Sequence, residues 1–244
     1  MIFHPYQKNI TNYIPLLKIG NTVIERVHEF NFLGLIIEET LSWKPHVDYI
    51  ANKVSKHIGV LNRLKHYLPP YILRTIYFSL INSSLNYSLL AWGFNCVRLK
   101  KLQKKAIRII TNSRYNAHTE PLMKNLQILK LEDMFRLNIL KWYYKYCNKK
   151  LPVFFLNFKI QKLSDIHHHN TRKNFIIPHN NLRLKSSRYC LRNHIAIVLN
   201  SFNADILDKV NTHSYQGYSN YIKTAILSSY STVCQIQDCY ICNR

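Results

Sequence analysis

Lys53, Lys56, Arg63, Lys65, Arg74, Arg98, Lys100, Lys101, Lys104, Lys105, Arg108 and Arg114 all fall between Asp48 and Glu120, and no acidic residue stands among them. An ordinary surface interleaves both signs, because Glu-Lys pairs support helices and limit self-repulsion. A long tract of one sign is expected where a polyanion supplies the missing charge, and a phosphate backbone is the first candidate. The whole chain agrees: Lys and Arg number 34 against 12 acidic residues, for a formal charge of +22. Acid-free stretches recur over 134–164 and 166–204. The residues expected to track phosphates are Lys53, Lys56, Arg63, Lys65, Arg98, Lys100, Lys101, Lys104, Lys105, Arg108 and Arg114. Of the 17 tyrosines, Tyr67, Tyr71, Tyr115, Tyr143, Tyr144, Tyr146 and Tyr189 lie in or beside basic segments. Most are expected to be packed rings with a surface hydroxyl, and some to stack on bases.

Other chemistries are poorly served. Two-metal phosphoryl transfer needs clustered carboxylates that hold cations about 3.5–4 Å apart. The chain has no Asp-Asp pair; Glu38-Glu39 and Glu132-Asp133 read as turn and helix-start chemistry. His167, His168 and His169 are adjacent and share no helical face, and beside them only Asp165 is a ligand type, so they read as a polar loop. Asp205 and Asp208 lack a third ligand or a base. Cys234, Cys239 and Cys242 are weak metal candidates, with His213 the one loosely available fourth ligand, and read as a reduced tail. Only 5 glycines are present, and no phosphate-binding glycine loop. Neither a catalytic residue nor a bound cofactor is expected in this chain.

No apolar run reaches the eighteen or so residues of a membrane span, and Met1-Ile2-Phe3-His4-Pro5 has no charged leader. No membrane partner is expected, and the location is expected to be intracellular, nuclear or cytoplasmic.

The elements that must position the cations follow from periodicity. Leu16-Leu17-Lys18-Ile19 and Thr22-Val23-Ile24-Glu25 flank Gly20-Asn21 and predict a hairpin. The apolar run 30–37 predicts one strand covered on both faces. Val47, Ile50, Val54, Ile58, Leu61 and Leu64 predict a helix with Ser42 as N-cap. Pro69-Pro70 breaks it, and a second helix is expected to end near Asn86. A third, over 98–111, sets Leu99, Leu102, Ala106, Ile109 and Ile110 against the core and its cations around the rest. Helices are also expected from Thr119-Glu120-Pro121, over 131–146 and over 188–200. The fold class expected is α+β, mainly α: a small antiparallel N-terminal sheet, a helical bundle and a less regular C-terminal region. The corresponding divisions are 1–40, 41–150 and 151–244.

Several fragments, in this order, resemble the region after the catalytic palm motifs of jockey-like non-LTR retrotransposon reverse transcriptases. They are Asn31-Phe32-Leu33-Gly34-Leu35-Ile36-Ile37, Leu41-Ser42-Trp43-Lys44-Pro45-His46-Val47, Tyr87 with Ala91-Trp92-Gly93, and Leu102-Gln103-Lys104-Lys105-Ala106-Ile107-Arg108-Ile109-Ile110. Ala117-His118-Thr119, Ile166-His167 and Asn170-Thr171-Arg172 complete a resemblance spanning roughly residues 28–172. It implies that Met1-Ile2-Phe3 ends a palm strand, that Phe32, Leu33 and Gly34 form a primer grip, and that 41–150 is a thumb. The implied partners are an RNA/DNA or DNA duplex backbone and the palm and fingers missing upstream. The implied cofactor is Mg, held by the parent polymerase and not by this chain, which lacks the metal-binding aspartates and is expected to be inactive alone. Two alternatives stay open from the residues: part of an active RNA-directed DNA polymerase, or a degenerate mobile-element remnant.

Overall fold

The computed structural model describes residues 1–4, 17–94, 96–155, 158–160, 177, 191–202 and 204–232. The fold is α+β and mainly helical. Strands β1 (Lys18–Ile19) and β2 (Thr22–Val23) pair antiparallel around Gly20-Asn21, with Gly20 at φ +59°, as a tight hairpin turn demands. The run expected to be one covered strand is instead a second hairpin: β3 (Glu29–Phe32) and β4 (Leu35–Glu38), in register Phe32 with Leu35. Leu33 at φ 49° and Gly34 at φ 81° make its two-residue turn. The apolar pattern hides the turn, because Leu33 takes a left-handed conformation that its side chain disfavours by roughly 1–2 kcal/mol. Nor is the ribbon covered on both faces: all of β3 is exposed, while β4 is half-buried and meets the first long helix. Met1–His4 form no strand, although the His4 amide donates to the Glu39 carbonyl at 3.0 Å.

Helix α1 (Lys44–Leu64) follows, with Pro45 in its first turn. Trp43 at φ 61° takes the N-cap position expected for Ser42, whose hydroxyl still accepts the Lys44 amide at 3.2 Å. Ile50, Ala51, Val54, Ile58 and Leu61 make its buried stripe. Buried His46 ties β4 to this helix, its Nδ1 accepting the Ile36 amide at 3.3 Å while its ring meets Trp92 edge-on. Burial pushes its pKa down and keeps the ring a neutral acceptor.

Helix α2 (Pro70–Ile76) widens into a π-helical turn (Tyr77–Asn82), then tightens again as α3 (Ser83–Asn86), ending where the sequence implies. Short α4 (Leu89–Trp92) leads to α5 (Val97–Ile110), and α6 (Thr119–Asn125) precedes α7 (Leu131–Cys147). Beyond a 3₁₀ turn (Val153–Phe155) come α8 (Leu191–Ser201), α9 (Ala204–Asp208) and α10 (Tyr215–Ser228). Helices α8 and α10 pack on α7, so Ile195, Leu199, Tyr218 and Ile222 join the same hydrophobic cluster as Val54, Leu99 and Leu140. Burial of Tyr230 against α7 is completed by its hydroxyl, which donates to Asp133 at 2.5 Å and accepts the Lys130 amide at 2.9 Å. No helix among the described residues is long and apolar enough to cross a membrane.

Candidate functional site

The floor of the site is the seam between α1 and α5. Arg98, in the first turn of α5, reaches Asp48 at 2.7 Å and Asn52 at 3.2 Å near the start of α1. Asn112, just beyond α5, faces the same cleft as Asn62 and Lys65 at the end of α1. The two helices therefore run in the same direction. Asn52, Ser55, Gly59 and Asn62 recur at three- and four-residue steps and so form one stripe of small polar side chains along α1. Because that stripe is short, the helices part into a cleft of about 570 Å³. Ile58 and Ile109 lie at its base, Lys65, Lys105 and Arg108 at its rim, and Tyr115 at its end. Among the described residues no carboxylate lines it.

Arg108 is the best-held cation of the set. Its Nε donates to the Ala117 carbonyl at 2.9 Å, fixing the guanidinium while its remaining nitrogens make no hydrogen bond among the described residues. Partial burial draws its pKa below the ordinary value, though a guanidinium stays charged throughout the working range. Tyr115 is 88% exposed, which leaves both ring faces open beside the cations.

On its other flank α5 bounds a second cleft of about 400 Å³, reached by Lys100, Lys104, Arg108 and Lys130 but also by Glu120 and Glu132. Two of the four cations are paired with the two acids. Lys130 meets Glu120 at 2.9 Å and Lys100 pairs with Glu132. Both carboxylates are held below their usual pKa, Glu120 chiefly by Lys130 and Glu132 chiefly by Lys100.

The expected binding residues therefore divide. Lys65, Lys105 and Arg108 converge on the acid-free cleft. Lys101 and Arg114 are exposed on and just after α5, and Lys56 and Arg63 on the outer side of α1. Lys53 is displaced to the opposite flank, beside His57, which bonds the Leu80 backbone. Arg98 and Lys100 are paired with acids, and Lys104 shares the second cleft with Glu120 and Glu132. Of the apolar stripe expected for α5, Leu99, Ala106 and Ile110 are buried and Leu102 and Ile109 pack half-buried against the core, and Gln103 and Ile107 are buried as well. Gln103 looks like a surface residue in sequence, yet its amide donates to Tyr77 and to the Leu129 carbonyl and accepts the Leu131 amide, each at 2.9 Å. The polar stripe of α1 is a feature that apolar periodicity passes over, although its spacing is legible in the sequence.

The residues expected as a primer grip, Phe32, Leu33 and Gly34, form the tip of the β3–β4 hairpin. Tyr87 holds that tip, its hydroxyl donating to the Leu33 carbonyl at 2.5 Å and its ring lying under Gly34. The acidic pairs are engaged structurally. Glu38 accepts from the Thr40 hydroxyl at 2.6 Å and the Ser42 amide at 2.9 Å. Glu39 meets His4, Arg26 and His28, and Asp133 meets Tyr230 and Arg136. Cys96 is buried and Cys147 exposed, without a disulfide. Cys234, Cys239 and Cys242, Asp165, the three adjacent histidines, Tyr189 and the resemblance fragments past Ile166 lie outside the described residues. Among the described residues no three His, Cys, Asp or Glu gather as a metal site. Tyr67, Tyr71 and Tyr115 are exposed, whereas Tyr144 is buried and Tyr143 and Tyr146 are half-buried.

Comparisons with protein-family models, with curated proteins and with solved structures gave no match.

Proposed function

We propose that this chain binds the phosphate backbone of a template-primer duplex, RNA/DNA or DNA, as the thumb-like part of a retrotransposon-type reverse transcriptase, and does no chemistry alone. The observation that carries this reading is the acid-free α1–α5 cleft with Lys65, Lys105 and Arg108 at its rim. Backbone contacts of this kind position a duplex without reading its sequence, which suits a polymerase that must slide along any template. The exposed hairpin supports the polymerase half of the reading. Phe30, Phe32 and Leu33 offer apolar surface that the remaining palm and fingers would cover. Magnesium would be held by the palm of such an enzyme.

Fluorescence anisotropy against RNA/DNA and DNA duplexes tests the reading. With about four phosphates neutralised, log K should fall against log salt with a slope of roughly −3 to −4. Binding that ignores salt, or that prefers one sequence strongly, overturns it. Primer extension with magnesium tests the rest: nucleotide incorporation by the purified chain alone contradicts a purely binding role.

A further inference from the structure

A third cavity lies on another face, where the π-helical turn and α3 meet α7 and α10. Leu129, Met134 and Leu137 form an apolar floor beneath a volume of about 240 Å³. Its rim is polar: Asn82, Asn86, Asn138 and Asn220 surround Lys141 and Lys223, and among the described residues no carboxylate lines it. The widened turn matters here, since π-helical segments inside α-helices are frequently associated with functional sites and this one carries Phe78 and Asn82 into the rim.

The rim amides are partly bonded to one another. Asn138 Nδ2 donates to Asn86 Oδ1 at 2.8 Å, and Gln216 Nε2 donates to Asn220 Oδ1 at 3.4 Å. An amide brings as many acceptors as donors, so the surplus of donors at this rim comes from the two ammonium groups, which carry no acceptor. Neither Lys141 nor Lys223 forms an ion pair or a hydrogen bond among the described residues. Half-buried Lys141 carries an uncompensated charge, and burial together with the neighbouring Lys223 and Lys145 pushes its pKa down. Two like charges held together at a donor-rich cavity are a cost that an anion removes.

We infer that this cavity binds the phosphoryl group of free phosphate or of a phosphate monoester, separately from the duplex cleft. A phosphoryl dianion matches two ammonium groups in charge and offers three or more acceptor oxygens to the amides, whereas a carboxylate would leave one lysine uncompensated. A volume of about 240 Å³ holds a phosphoryl group with room for part of the group esterified to it.

Thermal unfolding at matched ionic strength decides it, with inorganic phosphate against chloride and AMP against adenosine. The unaltered chain should gain about 5–10 °C in Tm at a hundredfold excess over Kd. The double variant K141Q/K223Q should lose that gain while melting no lower in chloride, because it removes repulsion. Asn220→Asp, an exposed change that places an anion at the rim, should lose it too. K65Q/K105Q should keep the gain but lose duplex affinity, and K141Q/K223Q should keep duplex affinity, so the two sites fail independently. Protection by AMP and not adenosine assigns a monoester, and protection by phosphate alone assigns the free ion. No gain in the unaltered chain, an equal gain in every variant, or loss only in K65Q/K105Q overturns the inference.

Discussion

The Arg98 guanidinium reaches across the α1–α5 seam to the Asp48 carboxylate at 2.7 Å. Asp48 is the acid at which the long basic tract begins, so the fold turns the edge of the tract back onto one of its own cations. Lys100 does the same with Glu132, an acid from beyond the other end. A one-signed run in sequence is therefore not a one-signed surface in space. Among the cations without an acid partner, Lys105 and Arg108 in the later part of α5 are the ones that line a common cleft with Lys65.

Arg98→Gln should accordingly leave duplex affinity nearly unchanged, while Lys105→Gln weakens it several-fold. Both partners of the Arg98 pair are about half exposed, with side chains 54% and 44% accessible, so its loss should cost at most about 1 kcal/mol of stability. Anisotropy and urea unfolding on the two variants provide the comparison. If Arg98→Gln is the more damaging to binding, the cleft is not where the duplex lies.

The cleft cations also set the salt dependence. Replacing Lys65, Lys105 and Arg108 with glutamine together should flatten the log K against log salt slope by about 3, close to one for each phosphate no longer neutralised. Circular dichroism should be unchanged for Lys65→Gln and Lys105→Gln. Arg108→Gln also removes the bond to Ala117, so some loosening of the loop after α5 is expected there.

Why part of this is legible in the sequence and part is not follows from the forces involved. Apolar spacing in α1 is a strong local signal, and Ile50, Val54, Ile58 and Leu61 are buried as their three- and four-residue steps imply. The Leu33-Gly34 turn is invisible, because a leucine in a left-handed conformation breaks the rule that marks such turns with Asn or Gly pairs. Gln103 gives no sign of burial because its partners Tyr77, Leu129 and Leu131 are remote in sequence, and only the fold shows that a buried amide is satisfied there. Charge pairing across α1, α5 and α7 is likewise a property of packing. Without it, the convergence of Lys65 and Lys105 is indistinguishable from the divergence of Lys53.

Gln103 then makes a prediction of its own. Gln103→Leu leaves the Tyr77 hydroxyl, the Leu129 carbonyl and the first amide of α7 without their partner, all in buried surroundings. Each unsatisfied buried group costs about 1–3 kcal/mol, so a loss of about 2–4 kcal/mol is expected in urea unfolding after partial relaxation. A loss below about 1 kcal/mol would show that this network does not hold α5 to α7.

Glu39 gives the hairpin region a pH dependence. The Arg26 guanidinium, foremost, with His28 and His4, lowers its pKa from 4.5 to about 2. A carboxylate whose folded pKa lies below its unfolded value contributes stability that is complete above the unfolded value and is lost as pH falls through the folded one. The attachment of Met1–His4 and β4 should thus weaken between about pH 4.5 and 2. Glu39→Gln should abolish that dependence, with hydrogen exchange of the His4 and Leu35–Glu38 amides as the readout.

Gly59 separates stability from binding most sharply. It sits in the interior of α1 with nothing within 4 Å of where a Cβ would stand, and it lines the cleft between Asn62 and Lys105. Glycine in a helix interior costs about 1 kcal/mol relative to alanine, and leucine is nearly as favourable as alanine. Gly59→Leu should therefore raise stability by about 0.5–1 kcal/mol while its side chain fills the cleft. If the cleft seats a duplex backbone, the more stable variant should bind several-fold more weakly, without any change in charge. Equal or tighter binding by Gly59→Leu, alongside the expected gain in urea midpoint, would mean that the cations act from the outer rim and that the open space between α1 and α5 is not used.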